Sequence, residues 1–174
     1  DIIIGNKNTS EIINAAERFL NEKKRFVLHE DHNAGDAYTT PSICDFSERT
    51  RAFMKIEDGC DRFCSYCIIP KARGRVRSRA ISDIKSEAIR HADKGYSELV
   101  LVGINLSAYG KGENFNICDA VDAVCSVDGI LRVRLGSLEP DHITNEMLER
   151  LKNQEKFCPQ FHLSLQSGCD ETLK

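Results

Sequence analysis

From residue 51 to the end of the chain, short apolar segments alternate with amphipathic helix patterns, and this alternation constrains the fold more than any other feature. The segment ELVLVGI at 98–104 is nearly continuous in apolar character, which is typical of a buried parallel strand. Strands that alternate with helices predict an α/β fold with a parallel sheet and the helices outside it. The predicted strands are 51–56, 98–104, 131–137 and 160–168, and the predicted helices are 82–95, with Ser82 as N-cap, 116–127 and 144–153.

Four strands do not close a βα barrel, so we expect a partial barrel made of the first four βα units, with DETLK (170–174) opening the next helix. Residues 1–50 have a different pattern. TSEIINAAERFLNEKK (9–24) predicts a helix, and HEDHNAGDAYTTPS (29–42) predicts a polar linker. We expect the chain to be part of a longer protein, with a domain boundary near residue 50.

Charge and hydropathy limit the classes of protein to consider. The chain has 24 Lys and Arg against 27 Asp and Glu, a formal net charge of −3, so bulk charge does not indicate a nucleic-acid binder. No apolar segment approaches the length of about 20 residues that a membrane-spanning helix needs, and no signal peptide opens the chain. We expect a cytoplasmic protein with no membrane partner.

The chemistry of βα folds collects in the loops that follow the C-terminal ends of the strands. Here those loops are GCDRFCSYC (59–67), GINLSAYG (103–110), GSLEP (136–140) and QSGCD (166–170), and we call them together the rim. They bring glycine, small polar groups and thiols to one edge of the predicted sheet. The rim is therefore the predicted functional site.

Three of the eight cysteines, Cys60, Cys64 and Cys67, are spaced C-x3-C-x2-C in the first rim loop. A chain with regular helices and strands needs no disulfide staples, so clustered thiols predict a metal or a reaction in a reducing compartment. A structural zinc site needs four ligands, and a [4Fe–4S] cluster is normally held by four thiolates. Three thiolates fit a cluster with one iron open to another ligand, and a zinc-stabilised RNA-binding module is the alternative.

Other thiols and imidazoles have plainer interpretations. Cys118 and Cys125 lie on one predicted helix and are expected to pack in the core, where a free cysteine behaves as a small apolar residue. Cys44 lies in the predicted linker. His29 and His32, beside two acidic residues in the same segment, are expected to be solvated rather than to bind a metal.

The cysteine spacing, in a loop after the first strand of a βα repeat, resembles the signature of the radical S-adenosylmethionine enzymes. This resemblance implies a barrel of the radical SAM type and a [4Fe–4S] cluster held by Cys60, Cys64 and Cys67. It also implies that S-adenosylmethionine binds the open iron through its amino and carboxylate groups. The resemblance places Tyr66, the residue before the third cysteine, near the adenine.

Longer segments resemble the methylthiotransferases within that family. These are 55–79, 99–110, 132–140 and 161–174, and GSLEP most resembles the branch that acts on threonylcarbamoyl-adenosine. The resemblance implies transfer of a methylthio group to C2 of N6-threonylcarbamoyladenosine next to the tRNA anticodon. Sister enzymes that act on isopentenyl-adenosine in tRNA, or on an aspartate of a ribosomal protein, are the alternatives.

The same resemblance implies a division of the chain and further partners. Residues 1–50 correspond to the end of the family's N-terminal domain plus a linker, and residues 51–174 correspond to a radical SAM core truncated at its C-terminal end. A second [4Fe–4S] cluster is expected in the full-length protein, with ligands upstream of this chain. The expected partners are the tRNA anticodon stem-loop and an electron donor such as a flavodoxin or ferredoxin.

Further rim residues are candidates for binding the cofactor. Gly103 would let the backbone approach it closely, whereas Ser137, Glu139 and Gln166 have hydrogen-bonding groups that suit its ribose, amino or carboxylate groups. The alternative is that these polar side chains support the cofactor-binding residues without touching the cofactor, or cap the loops. No catalytic side chain is predicted.

The segment KARGRVRSR at 71–79, which we call the basic segment, has no acidic residue. Such a local concentration of charge beside the rim predicts a track for RNA phosphates. The alternatives are a solvated basic loop, pairing with acids such as Glu139, or binding of the cofactor carboxylate. The predicted RNA-binding side chains are Lys71, Arg73, Arg75, Arg77 and Arg79.

Overall fold

The computed structural model describes residues 1–33, 35–39 and 50–173. The strands are β1 Ile2–Ile4, β2 Phe26–Leu28, β3 Ala52–Lys55, β4 Glu57–Asp58, β5 Arg77–Ser78, β6 Glu98–Val102, β7 Arg132–Leu135, β8 Ser137–Leu138 and β9 His162–Leu163. The α-helices are α1 Ile12–Glu22, α2 Ile69–Arg73, α3 Ile81–Asp93, α4 Ile117–Cys125, α5 Asn145–Lys152 and α6 Asp170–Leu173. In this part of the chain, none of the helices has the length and apolar character needed to cross a membrane.

The N-terminal segment forms a small βαβ unit. β1 and β2 pair in parallel, with Ile3 opposite Val27, and α1 makes the crossover that parallel strands require. A 3-10 helix at Asn6–Glu11 leads into α1, which ends at Lys23 in the left-handed conformation (φ 52°). The predicted helix at 9–24 is therefore confirmed, with its first residues in the tighter 3-10 form.

The main sheet is parallel, as the alternation predicts. β3, β6 and β7 pair in that order, with Met54 opposite Leu101 and Leu101 opposite Leu135. Directly after β7 the chain continues as β8, which pairs in parallel with β9. Consecutive βα units therefore contribute neighbouring strands, and the carboxyl ends of these strands point the same way.

The core lies between the sheet and its helices. Leu99, Val100 and Leu101 of β6 are all buried, which explains why this segment is apolar without alternation. Their neighbours in the core include Ile84 of α3 and Val121 of α4, both with zero exposure. The prediction of core packing for the two helical cysteines is confirmed, since Cys118 and Cys125 are 3% and 5% exposed.

Element boundaries differ from the prediction most clearly at α3 and at the fourth strand. α3 begins at Ile81 with Ala80 in the cap position, so the predicted N-cap Ser82 lies inside the first turn; Ile81 enters the helix because it packs against the core. The fourth strand was expected over 160–168, but β9 has two residues because its partner β8 is equally short.

The prediction of a solvated linker at 29–42 is wrong for His32, while Cys44 lies outside the described residues. The His32 side chain is only 9% exposed and lies 3.4 Å from a carboxylate oxygen of Asp36. A β-carbon on Gly74 would lie 2.5 Å from the His32 β-carbon, so this segment packs closely on the loop between α2 and β5. The Tyr38 hydroxyl donates to the Lys55 carbonyl at 2.7 Å.

Candidate functional site

The first rim loop leaves β4 through a sharp turn that requires glycine. Gly59 has φ 89°, and a β-carbon there would lie 2.0 Å from the Arg75 carbonyl oxygen. The next residue, Cys60, donates its N–H to the Gly74 carbonyl at 3.1 Å. These contacts tie the start of the cysteine loop to the hairpin that β4 forms with β5.

The three loop cysteines differ in exposure. Cys60 is buried, Cys67 is intermediate and Cys64 is exposed, and the N–H of Cys67 donates to the Cys64 carbonyl at 2.9 Å. Among the cysteines that the structure describes, all seven are free thiols. The loop therefore presents unpaired thiols with one side against the protein and one side open to solvent.

The spacing of the three sulfurs bears on which metal group they fit. Sulfurs bound to one zinc at about 2.3 Å would lie about 3.8 Å from one another. The three loop sulfurs do not all lie within 4.8 Å of one another. The three thiols are therefore not gathered around a single point, and the metal group that they would hold stays a prediction.

Cys60 has two N–H neighbours. The backbone N–H of Arg62 lies 3.5 Å from its sulfur, and the side-chain amide of Asn105 lies 3.7 Å away. Burial raises the pKa of the Cys60 thiol, and these two donors act in the opposite direction. Asn105 itself is 5% exposed and follows the end of β6.

A buried carboxyl group supports the loop after β6. Glu57 has zero exposure, and its Oε2 accepts the backbone N–H of Asn105 at 2.7 Å. Burial raises the pKa of Glu57 to about 7. Gly103 lies against this carboxyl group, because a β-carbon there would lie 2.6 Å from Glu57 Oε2. The close neighbour that explains this glycine is Glu57, and contact of Gly103 with the cofactor stays a prediction.

Two predicted cofactor residues contact each other across the rim. The Tyr66 hydroxyl donates to Gln166 Oε1 at 2.8 Å. The Tyr66 side chain is nonetheless 75% exposed, and Gln166 has the left-handed φ of 64°. Ser137, the third of these residues, lies 2.8 Å from His162 Nδ1 through its hydroxyl. Their roles toward the cofactor stay predictions.

Glu139 is tied to the cysteine loop by an arginine inside that loop. Arg62 donates to Glu139 Oε2 and to Asp141 Oδ2, each at 2.5 Å. The hydrogen bond from Arg62 lowers the pKa of Asp141. Glu139, Asp141 and His142 also present ligand atoms within 4.8 Å of one another, but the guanidinium already supplies the positive charge there.

The five cations of the basic segment do not share one surface. Arg79 is buried and lies 2.7 Å from Glu87. The Arg77 side chain is 9% exposed, and its guanidinium donates hydrogen bonds to the carbonyls of Arg73 and Arg75. Arg75 is 61% exposed. The predicted RNA contact is untested for all five, and the burial of Arg77 and Arg79 leaves them little surface for it.

Arg73 pairs with Asp58 at 3.3 Å, and Lys71 is exposed at the surface of α2. Burial would raise the pKa of Asp58, but Lys55 and Arg73 outweigh it and lower that pKa. The alternative, in which these arginines pair with acids, is met by Asp58, Asp61 and Glu87 rather than by Glu139. Lys71 and Arg75 are the two most exposed cations of the basic segment.

Sequence reasoning missed three residues that organise this site: Glu57, Arg62 and Asn105. Two of them carried a weak signal, since Arg62 is a charged residue between two cysteines and Asn105 lies within a rim loop. Glu57 was hidden because an acidic residue next to Asp58 suggests solvent exposure. Pairing of β4 with β5 instead buries it completely.

Comparisons with known proteins show which family the chain is similar to. The pattern of the radical SAM superfamily matches residues 54–174. The chain is 33% identical to the threonylcarbamoyladenosine tRNA methylthiotransferase MtaB of Aquifex aeolicus over 179 residues, covering 100% of this chain and 42% of the relative. It is 35% identical to MtaB of Thermotoga maritima over 175 residues, with 100% and 39% covered.

A relative named for a different substrate is as similar to this chain as the MtaB proteins are. The chain is 35% identical to a tRNA-2-methylthio-N(6)-dimethylallyladenosine synthase of Clostridium botulinum over 178 residues, covering 100% of this chain and 39% of that protein. The chain thus spans about two fifths of these relatives. The predicted resemblance to the methylthiotransferases and to their threonylcarbamoyladenosine branch is confirmed.

A solved structure supports the fold. The radical S-adenosylmethionine methyltransferase TsrM from Kitasatospora setae, with cobalamin and a [4Fe–4S] cluster bound, superposes with a TM-score of 0.52 at 17% identity. The match covers 65% of this chain and 22% of that chain. At this identity the likeness concerns the fold.

Proposed function

We propose, from the premise that the chain belongs to the radical SAM superfamily, that it is the central part of a tRNA methylthiotransferase. The proposed reaction adds a methylthio group to C2 of N6-threonylcarbamoyladenosine next to the anticodon. The observation that carries the proposal is the cysteine loop, whose three free thiols are spaced C-x3-C-x2-C directly after β4. The names of the MtaB relatives support the choice of substrate.

Cys60, Cys64 and Cys67 would hold a [4Fe–4S] cluster, leaving one iron for S-adenosylmethionine. When bound, the cluster and S-adenosylmethionine together would supply a radical able to remove hydrogen from an unactivated carbon. The chain's own residues orient and shield the groups: Cys60 anchors the buried side, and Arg62 fixes the loop against Glu139. Tyr66, joined to Gln166, offers an exposed ring for the adenine.

The proposed architecture is a partial barrel made of the first four βα units. Parallel pairing in the order β3, β6, β7, followed by β8 with β9, supports it. Such a barrel places the loops after these strands at one rim. Ser137, Glu139 and Gln166 would then face the same space as the cysteine loop, and Gly103 would support it through Glu57.

We also propose a boundary near residue 50, with residues 1–50 the end of an N-terminal domain plus linker. A second [4Fe–4S] cluster would be held outside this chain. The remaining proposed partners are the tRNA anticodon stem-loop and a cytoplasmic flavodoxin or ferredoxin. Lys71 and Arg75 are the most accessible candidates for phosphate contacts.

A sister reaction on isopentenyl-adenosine is the second candidate. The Clostridium botulinum relative, at 35% identity, is a dimethylallyladenosine-type synthase, which favours keeping this substrate in the test. Nothing in the geometry of the rim favours the ribosomal-protein aspartate.

The test begins with anaerobic reconstitution of the intact protein with iron and sulfide, followed by dithionite and S-adenosylmethionine. We expect a brown protein that forms 5′-deoxyadenosine, and loss of that product in Cys64→Ala but not in Cys169→Ala, which removes another exposed thiol. A colourless protein that holds zinc would refute the proposal. Mass spectrometry of tRNA nucleosides, from cells lacking the gene and complemented with it, then identifies the methylthiolated base.

A further inference from the structure

The side-chain amide of Asn105 faces the sulfur of a proposed cluster ligand. Its Nδ2 lies 3.7 Å from Cys60 Sγ, and both residues are buried, at 5% and 9% exposure. The other end of the amide, Oδ1, is also buried and has no hydrogen-bond partner among the described residues. Among the described residues, the only hydrogen-bond partner of this side-chain amide is therefore the sulfur.

The position of the amide is fixed from both sides of its backbone. The N–H of Asn105 donates to Glu57 Oε2 at 2.7 Å, and its carbonyl accepts the N–H of Ala108 at 2.9 Å. Glu57 is fully buried, and it reaches this N–H only because Gly103 has no β-carbon. Hydrogen bonds to Glu57 and Ala108, with the space left by Gly103, thus hold the side-chain amide of Asn105 against Cys60.

Binding of iron changes what this contact can be. A free thiol can donate or accept a hydrogen bond, whereas an iron-bound thiolate can only accept one. Asn105 Nδ2 is a donor, so the contact is an N–H···S hydrogen bond once Cys60 is a ligand. Hydrogen bonds to charged acceptors are the stronger ones, and hydrogen bonds to the sulfurs help to set the reduction potentials of iron–sulfur clusters.

We propose that Asn105 is a positioning residue that acts through Cys60 to raise the reduction potential of the cluster. The inference rests on the proposed function, since it needs the cluster. Reduction adds one electron to the cluster from a low-potential donor, and the added negative charge spreads onto the thiolates. A donor on the Cys60 sulfur stabilises the reduced form more than the oxidised form. No proton is transferred.

The test is a redox titration of the intact, reconstituted protein with dithionite, followed by electron paramagnetic resonance. The signal of this cluster is recognised by its change when S-adenosylmethionine is added. Asn105→Leu keeps the branched shape and removes the donor. We expect its one-electron reduction to become about tenfold less favourable, a shift of about 59 mV to more negative potential.

Asn8→Leu is the matched control. Asn8 is also buried, at 6% exposure, but its amide donates to Glu30 Oε1 at 2.9 Å rather than to a sulfur. We expect its potential to equal that of the unaltered protein. An unchanged potential in a fully loaded Asn105→Leu protein overturns the inference, and so does an equal shift in both variants.

A second measurement covers the case in which Asn105→Leu fails to hold a cluster. The unaltered protein is labelled with 15N-asparagine, and pulsed electron paramagnetic resonance is recorded on the reduced cluster. A coupling that depends on the label supports the inference, and its absence overturns it. If the unaltered protein assembles no cluster, the proposed function fails and this inference fails with it. If the cluster assembles but its reduction potential does not shift in Asn105→Leu, only this inference fails.

Discussion

Glu57 carries a strongly perturbed acid–base equilibrium beneath the rim. Its side chain has zero exposure, and burial raises its pKa to about 7. A carboxyl group that has left water favours its neutral form, whereas in the unfolded chain it ionises near its ordinary value. At a pH between those two pKa values, Glu57 is therefore protonated in the folded chain and ionised in the unfolded chain.

This difference predicts a pH dependence of stability. Between pH 5 and pH 7 the folded state binds more protons at Glu57 than the unfolded state, so the contribution of Glu57 to the free energy of unfolding falls as pH rises, then levels off. Glu57→Gln stays neutral and lacks this fall. In iron-free protein, we expect its free energy of unfolding relative to the unaltered protein to increase by about 2–3 kcal/mol from pH 5 to pH 8.

Urea unfolding across this pH range measures the effect. Glu98→Gln is the control: hydrogen bonding to Arg134 lowers the pKa of Glu98 in the folded state, and in the unfolded chain its ordinary pKa lies below this range, so Glu98 is mainly ionised in both states. It is expected to lose stability by the same amount at every pH. A Glu57→Gln curve parallel to that of the unaltered protein would show that Glu57 ionises normally.

At the scale of elements, α3 is joined to the basic segment by a buried ion pair. Arg79 lies 2.7 Å from Glu87, which is 2% exposed. Arg79→Met leaves a buried carboxylate without its main partner, and such a loss costs about 3 kcal/mol or more. Urea unfolding is expected to show this loss for Arg79→Met, and a change within about 0.5 kcal/mol for Lys71→Met, which alters an exposed cation.

Adding Glu87→Leu to Arg79→Met removes the buried carboxylate that has lost Arg79, and this is expected to restore part of the stability. If Arg79→Met unfolds like the unaltered protein, Arg79 has no structural role and its place in an RNA track regains support.

The sequence was sufficient to predict the elements whose apolar pattern follows from burial. It was insufficient to predict short strands, whose formation depends on the partner strand. The buried strand β6 and the helices α3, α4 and α5 lie within two residues of their predicted ends, since a continuous apolar run and a helical apolar face each have one good solution. β4 and β5 are two residues each and were not predicted, because so short a pair depends on its partner rather than on its own pattern.

The same distinction applies to the candidate site. The thiol spacing marks Cys60, Cys64 and Cys67 as candidate ligands because ligand spacing is local in sequence, and their role as ligands stays a prediction. Asn105 and Cys60 are 45 residues apart, and no periodicity reports such a contact. Likewise, KARGRVRSR reads as one cationic stretch, yet strand pairing at β5 turns Arg77 and Arg79 inward.

At the scale of the whole molecule, the formal net charge is −3, so any attraction to RNA must come from local charge. Lys71 and Arg75 are the exposed cations of the basic segment. Each lysine or arginine that neutralises a phosphate steepens the dependence of binding on salt, by about 0.7 in log K against log salt for a single strand and about 0.9 for a duplex. The slope therefore counts contacts without requiring a structure of the complex.

In the intact protein, we expect Lys71→Ala to reduce the slope of tRNA binding against salt by about 0.7–0.9, because one phosphate contact is lost. Lys85→Ala is the matched control: it removes an equal charge from an exposed position on α3, changes the net charge equally, and should leave the slope unchanged. Filter binding or fluorescence anisotropy across a salt series measures both. Equal slopes for the two variants would mean that RNA follows another surface, and the basic segment would then act through Asp58 and Glu87 as a structural brace.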